Sequence, residues 1–215
     1  MVIELGKENS LLNQFLNELR DEDIQKDPLR FRKNLERIGE LFAYEISKKL
    51  EWKKKETTTP LGVAQCSVLA QQPVLGTIFR AGMPMHHGML NYFDRADNTF
   101  ISAYRKHHAD GSFEVLLEYL ASPDLNGRTL ILCDPMLATG QSLVLTYKKL
   151  LAIGRPKHTH IATIIASAEG VEYAKKHLPD NTTLWIAAID EEMTSQSYIV
   201  PGLGDAGDLA FGKKL

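Results

Sequence analysis

Three short runs, "RTLILCD", "THIATIIAS" and "TLWIAAID", constrain this chain more than any other feature. Each is rich in β-branched and apolar residues, and the stretches between them space apolar residues helically. Residues 128–190 therefore read strand, helix, strand, helix, strand. Strands joined through helices run parallel, and a parallel sheet needs helices on both faces. Ligands of such sheets sit beyond the carboxyl ends of the strands. The runs "VLGTIFR", "TFISAYR" and "FEVLLEYL" add strands upstream. No helical pattern separates the last two, so residues 99–120 are expected to form a β-hairpin around "HHADGS" that projects from the sheet.

The start of the chain is helical instead. Leu11, Leu12, Phe15, Leu16 and Leu19 keep helical spacing behind a Ser10 cap. A second helix opens with Asp27 as cap and Pro28 at its first position, and carries Phe31, Leu35, Ile38, Leu41, Phe42 and Ile46 to about Leu50. The run "KKLEWKKKE" reads as its solvated end. With 215 residues, 44% of them hydrophobic, the chain can bury a full core. The expectation is one domain over residues 1–215, with an N-terminal helical arm over residues 1–55.

Charge and cysteine usage exclude several classes. Twenty-five lysines and arginines against 27 acidic residues leave a net charge of −2, which argues against a nucleic-acid or membrane-surface protein. Cys66 and Cys133 lack metal-ligand spacing and read as reduced thiols. No signal peptide is visible and no run of about 18 apolar residues occurs, so a soluble, cytoplasmic protein is expected. His86-His87, His107-His108 and His158-x-His160 come without cysteine or carboxylate company, so no protein-built metal centre is expected.

Two segments carry the chemistry. In "CDPMLATGQSLVLTYKKLL", a buried strand ends at Asp134 and a helix is legible from Leu143 onward. The turn between them holds Thr139, Gly140 and Ser142. A helix start presents unpaired N–H groups and partial positive charge, so such a turn seats a phosphate. Gly140 lets backbone approach the anion, while Thr139 and Ser142 offer hydroxyls. This is not a Walker loop, because the G-x-x-x-x-G-K-[ST] pattern is missing and no lysine follows the turn until Lys148. An acid at the strand end followed by a phosphate turn suits a ribose 5-phosphate; an ordinary loop with Ser and Thr as caps is the plainer alternative. The second segment, "YIVPGLGDAGD", contains a G-x-G-x-x-G pattern, but too little chain follows for the helix and strand a dinucleotide site requires.

"CDPMLATGQS" resembles the phosphoribosyl-pyrophosphate motif of type I phosphoribosyltransferases, and its D-P-M-L-A-T-G form is similar to that of the uracil phosphoribosyltransferase family. "YIVPGLGDAGD" resembles that family's uracil loop. "IFRAG" at 78–82, "AYR" at 103–105, "EGVE" at 169–172, "LRDEDI" and "IGELFAYE" match in the same order. The resemblance implies an α/β fold, a type I phosphoribosyltransferase-like parallel sheet flanked by helices. It implies transfer of phosphoribose from phosphoribosyl pyrophosphate to uracil, giving UMP and pyrophosphate. It places the ribose phosphate on Asp134, Pro135, Met136, Leu137, Ala138, Thr139, Gly140, Gln141 and Ser142, and the pyrophosphate end on Arg80 and Arg105. Uracil falls to Ile199, Gly204 and Ala206, with Asp205 beside the base, sugar and pyrophosphate. Mg²⁺ held mainly through substrate pyrophosphate and a homodimer or higher homo-oligomer are implied too.

The chain departs from the family pattern at several positions. Gln141 replaces a glycine of T-G-G-S, Pro84 a glycine and His87 an aspartate, while Lys106-His107 stand where Asn-Glu is usual and Leu209 where a basic residue is common. These changes bear on turnover and GTP activation rather than fold. The alternative reading is a catalytically weak relative that senses uracil, UMP or phosphoribosyl pyrophosphate.

Overall fold

The structure is a computed structural model that describes residues 1–107 and 113–213, without the side chains of 103–107 and 113–117. In chain order its elements are β1 (Val2–Glu4), α1 (Leu11–Arg20), α2 (Pro28–Ser47), β2 (Trp52–Thr59), β3 (Gly62–Leu69), β4 (Val74–Phe79) and α3 (Met83–Leu90). There follow β5 (Asp97–His107), β6 (Phe113–Ala121), β7 (Thr129–Cys133), β8 (Met136–Leu137), α4 (Gln141–Leu150), β9 (His158–Ser167), α5 (Ala168–His177), β10 (Thr182–Asp190), β11 (Glu192–Met193), β12 (Ile199–Val200) and α6 (Ala206–Phe211).

The main sheet has the order β1-β10-β9-β7-β4-β5-β6, with the short β8 also on β9. Every pairing is parallel except β5 with β6 at one edge. The alternation of strands and helices read from residues 128–190 thus produces the parallel, doubly covered sheet it predicted. Side chains alternate across the central strands. Leu130, Leu132, Ile161, Leu184 and Ile186 enter one core with Leu143, Tyr147 and Leu150 of α4 and Val171 and Ala174 of α5. Ile131, Cys133, Ala162, Ile164, Trp185 and Ala187 enter the other, beneath α1, α2, α3 and α6. Burial on both faces is why these strands read as unbroken apolar runs rather than alternating ones.

The N-terminal helices form as their caps require. The Ser10 hydroxyl accepts from Leu12 N–H at 3.2 Å, and Asp27 accepts from Leu29 and Arg30 N–H with Pro28 at the first helical position. Four differences from the sequence reading stand out. The second helix stops at Ser47, and "KKLEWKKKE" turns the corner into β2, so it is not simply a solvated helix end. Strands β2 and β3 form a separate antiparallel hairpin. All eight positions of β2 are exposed, so no apolar periodicity announces it. Val2–Glu4 pairs with β10, and "MPMHHGML" is a helix whose proline sits in its first turn, where no backbone bond is lost.

Strand β5 pairs with β4 only as far as Ser102, and its antiparallel pairing with β6 continues beyond that point to His107 and Phe113. Most of "HHADGS" lies outside the described residues. Among the described residues, no helix is long and apolar enough to cross a membrane.

Candidate active site

Strands β4, β5, β7, β9 and β10 are mutually parallel, so their carboxyl ends share one edge of the sheet. Chemistry-bearing residues from distant parts of the sequence gather there because the topology leaves them no other edge.

Asp134 follows β7. Its N–H donates to Ala162 O at 3.1 Å, and its carboxylate lies 3.4 Å from Met136 N. The next residues are fastened to the neighbouring strand. Pro135 O accepts from Ile164 and Ile165 N–H at 3.0 Å each, Met136 and Leu137 pair with β9, and Leu137 is buried in the core. Ala138 O accepts from the Ser167 hydroxyl at 2.6 Å. Pro135, Met136 and Leu137 are therefore the anchored stem of the turn, and Ala138 to Ser142 its crown.

Gly140 is the N-cap of α4 with φ of +75°, and no side chain caps that helix. The cap position is thus held by a glycine and not by the Ser or Thr of the plainer alternative. A ten-residue helix that starts without a side-chain cap presents amide donors and positive dipole to an anion. Thr139 supplies a second sign: its Oγ1 is buried and has no hydrogen-bond partner among the described residues. A buried hydroxyl left unpaired costs about 1–3 kcal/mol, which a ligand oxygen would recover. Gln141 is the first helical residue, so its Cβ meets ordinary helical backbone, and the left-handed position falls on Gly140 alone.

Arg80 follows β4, one strand from Asp134. The turn beyond it packs against β7: a Cβ at Gly82 would come 2.8 Å from Cys133 O. The Arg80 guanidinium donates to Asp208 at 2.8 Å and to Gly212 O at 3.1 Å. The side chain of Arg105 lies outside the described residues, as do those of Lys106 and His107; its backbone continues β5 on the far side of β4.

The C-terminal tail leaves the sheet at Asp190, the end of β10, and returns through the small ladder of β11 and β12. Gly202 N–H donates to Asp190 at 2.9 Å, and Arg20 Nη1 donates to Gly202 O at 2.9 Å. Ile199, Leu203 and Ala206 are buried, while Gly204 is exposed with φ of +89°. The Asp205 side chain caps α6 by accepting from Asp208 N–H at 2.9 Å. That short helix, which the sequence did not suggest, is held by Arg32 on the Ala210 carbonyl at 2.7 Å. The tail is thus tied at β10 and at Arg80 beyond β4. Between those two ties lie β9, which β12 touches, and β7, the strands from which the Asp134–Gly140 turn springs. At about 4.8 Å per strand, three spacings give roughly 14 Å, enough for one bound nucleotide.

A sequence model of the uracil phosphoribosyltransferase family matches residues 7–213. The chain belongs to the uracil phosphoribosyltransferase family. A relative of that name from Porphyromonas gingivalis is 59% identical over 214 residues, spanning 100% of this chain and 99% of its own. The AQ2163 protein of Aquifex aeolicus superposes with a TM-score of 0.87 at 27% identity, covering 99% and 98% of the two chains. A hypoxanthine phosphoribosyltransferase from Staphylococcus aureus shares the fold at a TM-score of 0.51, 12% identity and 75% and 76% coverage.

Two departures from the family pattern can now be placed. His87 lies in the last turn of α3 with Nδ1 3.2 Å from Glu36 on α2, so its contact is with the helical layer. Leu209 packs against the core under the tail. His86 and His160 are buried, while His108 and the side chain of His107 lie outside the described residues. Trp185 donates to Nδ1 of the buried His160 at 3.0 Å, and burial drives the His160 pKa down to about 3. Burial lowers His86 and His158 too. Arg20, Asp190, Arg32 and Asp208 are supporting residues that the sequence reading did not single out. Arg20 lay inside "LRDEDI", and Asp190 ends a strand as Asp134 does.

Proposed function

We propose that this chain transfers the phosphoribosyl group of 5-phospho-α-D-ribose 1-diphosphate to N1 of uracil, giving UMP and pyrophosphate. The supporting observation is the start of α4 without a side-chain cap, with Gly140 at positive φ and the Thr139 hydroxyl buried without a partner among the described residues. In this reading Ala138, Thr139, Gly140, Gln141 and Ser142 hold the 5′-phosphate, and Pro135, Met136 and Leu137 hold that turn. Asp134 accepts from ribose hydroxyls. Arg80 and Arg105 take the pyrophosphate oxygens, since guanidinium forks bind them bidentately and stay charged.

The reaction breaks the anomeric C–O bond and forms C–N1, with the N1 proton leaving the base. Positive charge develops on the sugar as pyrophosphate departs, so positioning and electrostatics supply most of the rate. Backbone groups at Ile199, Gly204 and Ala206 face the uracil edge, with Asp205 between base and sugar. A backbone pattern matched to the N3–H donor and the O4 acceptor leaves buried groups unpaired against cytosine, which discriminates strongly. Mg²⁺, a hard cation that takes oxygen donors, would be held mainly through the substrate's pyrophosphate oxygens. When bound it neutralises pyrophosphate charge. The same reading makes the protein cytoplasmic and a homodimer or larger assembly, with its N-terminal helices and the outer part of β5–β6 as contact surfaces; sedimentation would test the assembly.

The test is direct. Purified protein, uracil, phosphoribosyl pyrophosphate and Mg²⁺ should yield UMP and pyrophosphate, with cytosine, hypoxanthine and orotate far slower. Calorimetric binding of uracil without any UMP over hours would show a sensor instead.

A further inference from the structure

Asp190 lies in none of the matched segments and Arg20 only within "LRDEDI", yet the two form a doubly hydrogen-bonded ion pair at the sheet edge where the tail leaves β10. Arg20 Nη1 and Nη2 donate to the two oxygens of Asp190 at 2.8 and 2.7 Å. The pair also grips one residue of the tail from both sides. Gly202 N–H donates to the same Asp190 Oδ2 at 2.9 Å, and Gly202 O accepts from the same Arg20 Nη1 at 2.9 Å. Residues 191–201 therefore leave from Asp190 and are closed by its own side chain. Gly202 has φ of +57°, and a Cβ there would overlap Ile199 O, so no other residue fits the grip. Gly204 follows two residues later, within about 7 Å along the chain. Leu203 between them is 3% exposed, so a shift at Gly202 passes directly to Gly204.

We propose that Arg20 and Asp190 are positioning residues for the base: by clamping Gly202 they set uracil affinity and the preference for uracil over cytosine, without touching the base. This rests on the reading of the tail as the uracil site. The carboxylate is suited to the task. Burial alone would raise its pKa, but the Arg20 hydrogen bonds and the Gly202 N–H outweigh that and hold it below the ordinary value, so it stays charged at neutral pH.

Two variants test the clamp. Asp190→Asn keeps the shape and removes the charge. Arg20→Met with Asp190→Leu replaces both partners by apolar groups, a change that folds tolerate better than a half-broken pair. In both, KM for uracil should rise about 10-fold or more, the loss of one charge-assisted hydrogen bond, while KM for phosphoribosyl pyrophosphate stays within about 2-fold. Relative kcat/KM for cytosine over uracil should rise. An unchanged uracil KM and unchanged cytosine discrimination in both variants would overturn the clamp while leaving the enzyme's activity intact. Equal rises in both KM values would overturn it as well, as the mark of a general structural role. An unmodified protein that forms no UMP and binds no uracil would overturn the reading of the tail, and this inference with it.

Discussion

Gly170→Ala separates two effects of opposite sign. Gly170 is in the first turn of α5, and glycine in a helix is less favourable than alanine by about 0.5–1 kcal/mol, so propensity alone predicts a more stable protein. The structure predicts the reverse. A methyl group there would overlap Ala138 O and lie 2.8 Å from Leu137 O, short of the 3.4 Å at which ordinary contact begins. Both obstacles are backbone carbonyls and cannot rotate away. The crown is close to the same residue at a second point, since a Cβ at Gly140 would lie 2.8 Å from Gly170 O. Overpacking costs about 1–3 kcal/mol, which exceeds the propensity gain. A net loss of about 1–2 kcal/mol lowers Tm by roughly 2–8 °C for a chain of this size. Relieving the clash moves Ala138 and Thr139 by on the order of 1 Å, and a misplacement of that size costs about 100-fold in rate. Initial rates with phosphoribosyl pyrophosphate varied at saturating uracil would read it. The expected result is a kcat/KM for phosphoribosyl pyrophosphate about 100-fold down, with uracil KM changed far less. A folded variant with raised Tm and unchanged kcat/KM would refute the coupling of α5 to the phosphate turn.

Thr139→Val keeps the shape and removes the unpartnered buried hydroxyl, so Tm should hold or rise while KM for phosphoribosyl pyrophosphate increases about 10-fold, as substrate titrations and calorimetry would show. Arg80→Lys preserves charge but loses the fork; kcat/KM for phosphoribosyl pyrophosphate should drop about 100-fold, while Tm stays within a few degrees because the Arg80–Asp208 pair is partly exposed and contributes about 0–1 kcal/mol. His160 confers acid lability. Its folded pKa of about 3 lies below the unfolded value of 6.5, so its contribution is complete above about pH 6.5 and is lost as pH falls from there towards 3. His160→Asn, which can still accept from Trp185, should flatten that part of the Tm–pH curve; an unchanged slope would place the lability elsewhere.

The parallel sheet was legible because each central strand is buried on both faces, which leaves an apolar run that only a covered strand tolerates. The helix caps at Ser10 and Asp27 were legible because capping is local chemistry within three residues. Strands β2 and β3 were not. A hairpin whose first strand is exposed throughout has no buried face to impose alternation, and Lys53, Lys54 and Lys55 read equally well as a helix end. Helix α3 escaped for the opposite reason. Pro84, Met85, His86, Gly88 and Met89 are all buried, so its pattern lacks the polar face that marks an amphipathic helix.

The catalytic edge divides along the same line. Asp134 and Asp190 carry an identical signal in sequence, an acid closing a buried β run, yet one begins the proposed ribose site and the other clamps a loop. What separates them is the company each keeps in space. Asp134 opens a turn whose helix starts without a side-chain cap, and that turn is contiguous in sequence, so its chemistry could be read from one segment. The role of Asp190 depends on Arg20, 170 residues away, and on Gly202, 12 residues later. No local rule pairs them. They meet because α1 packs beside β10 and the tail has to return over the strand ends to reach Arg80. The same return path explains the glycines of "PGLGDAGD" without a dinucleotide. Gly202 is required where the chain is gripped too closely for a side chain, and Gly204 where it turns exposed backbone towards the space that the proposal gives to uracil.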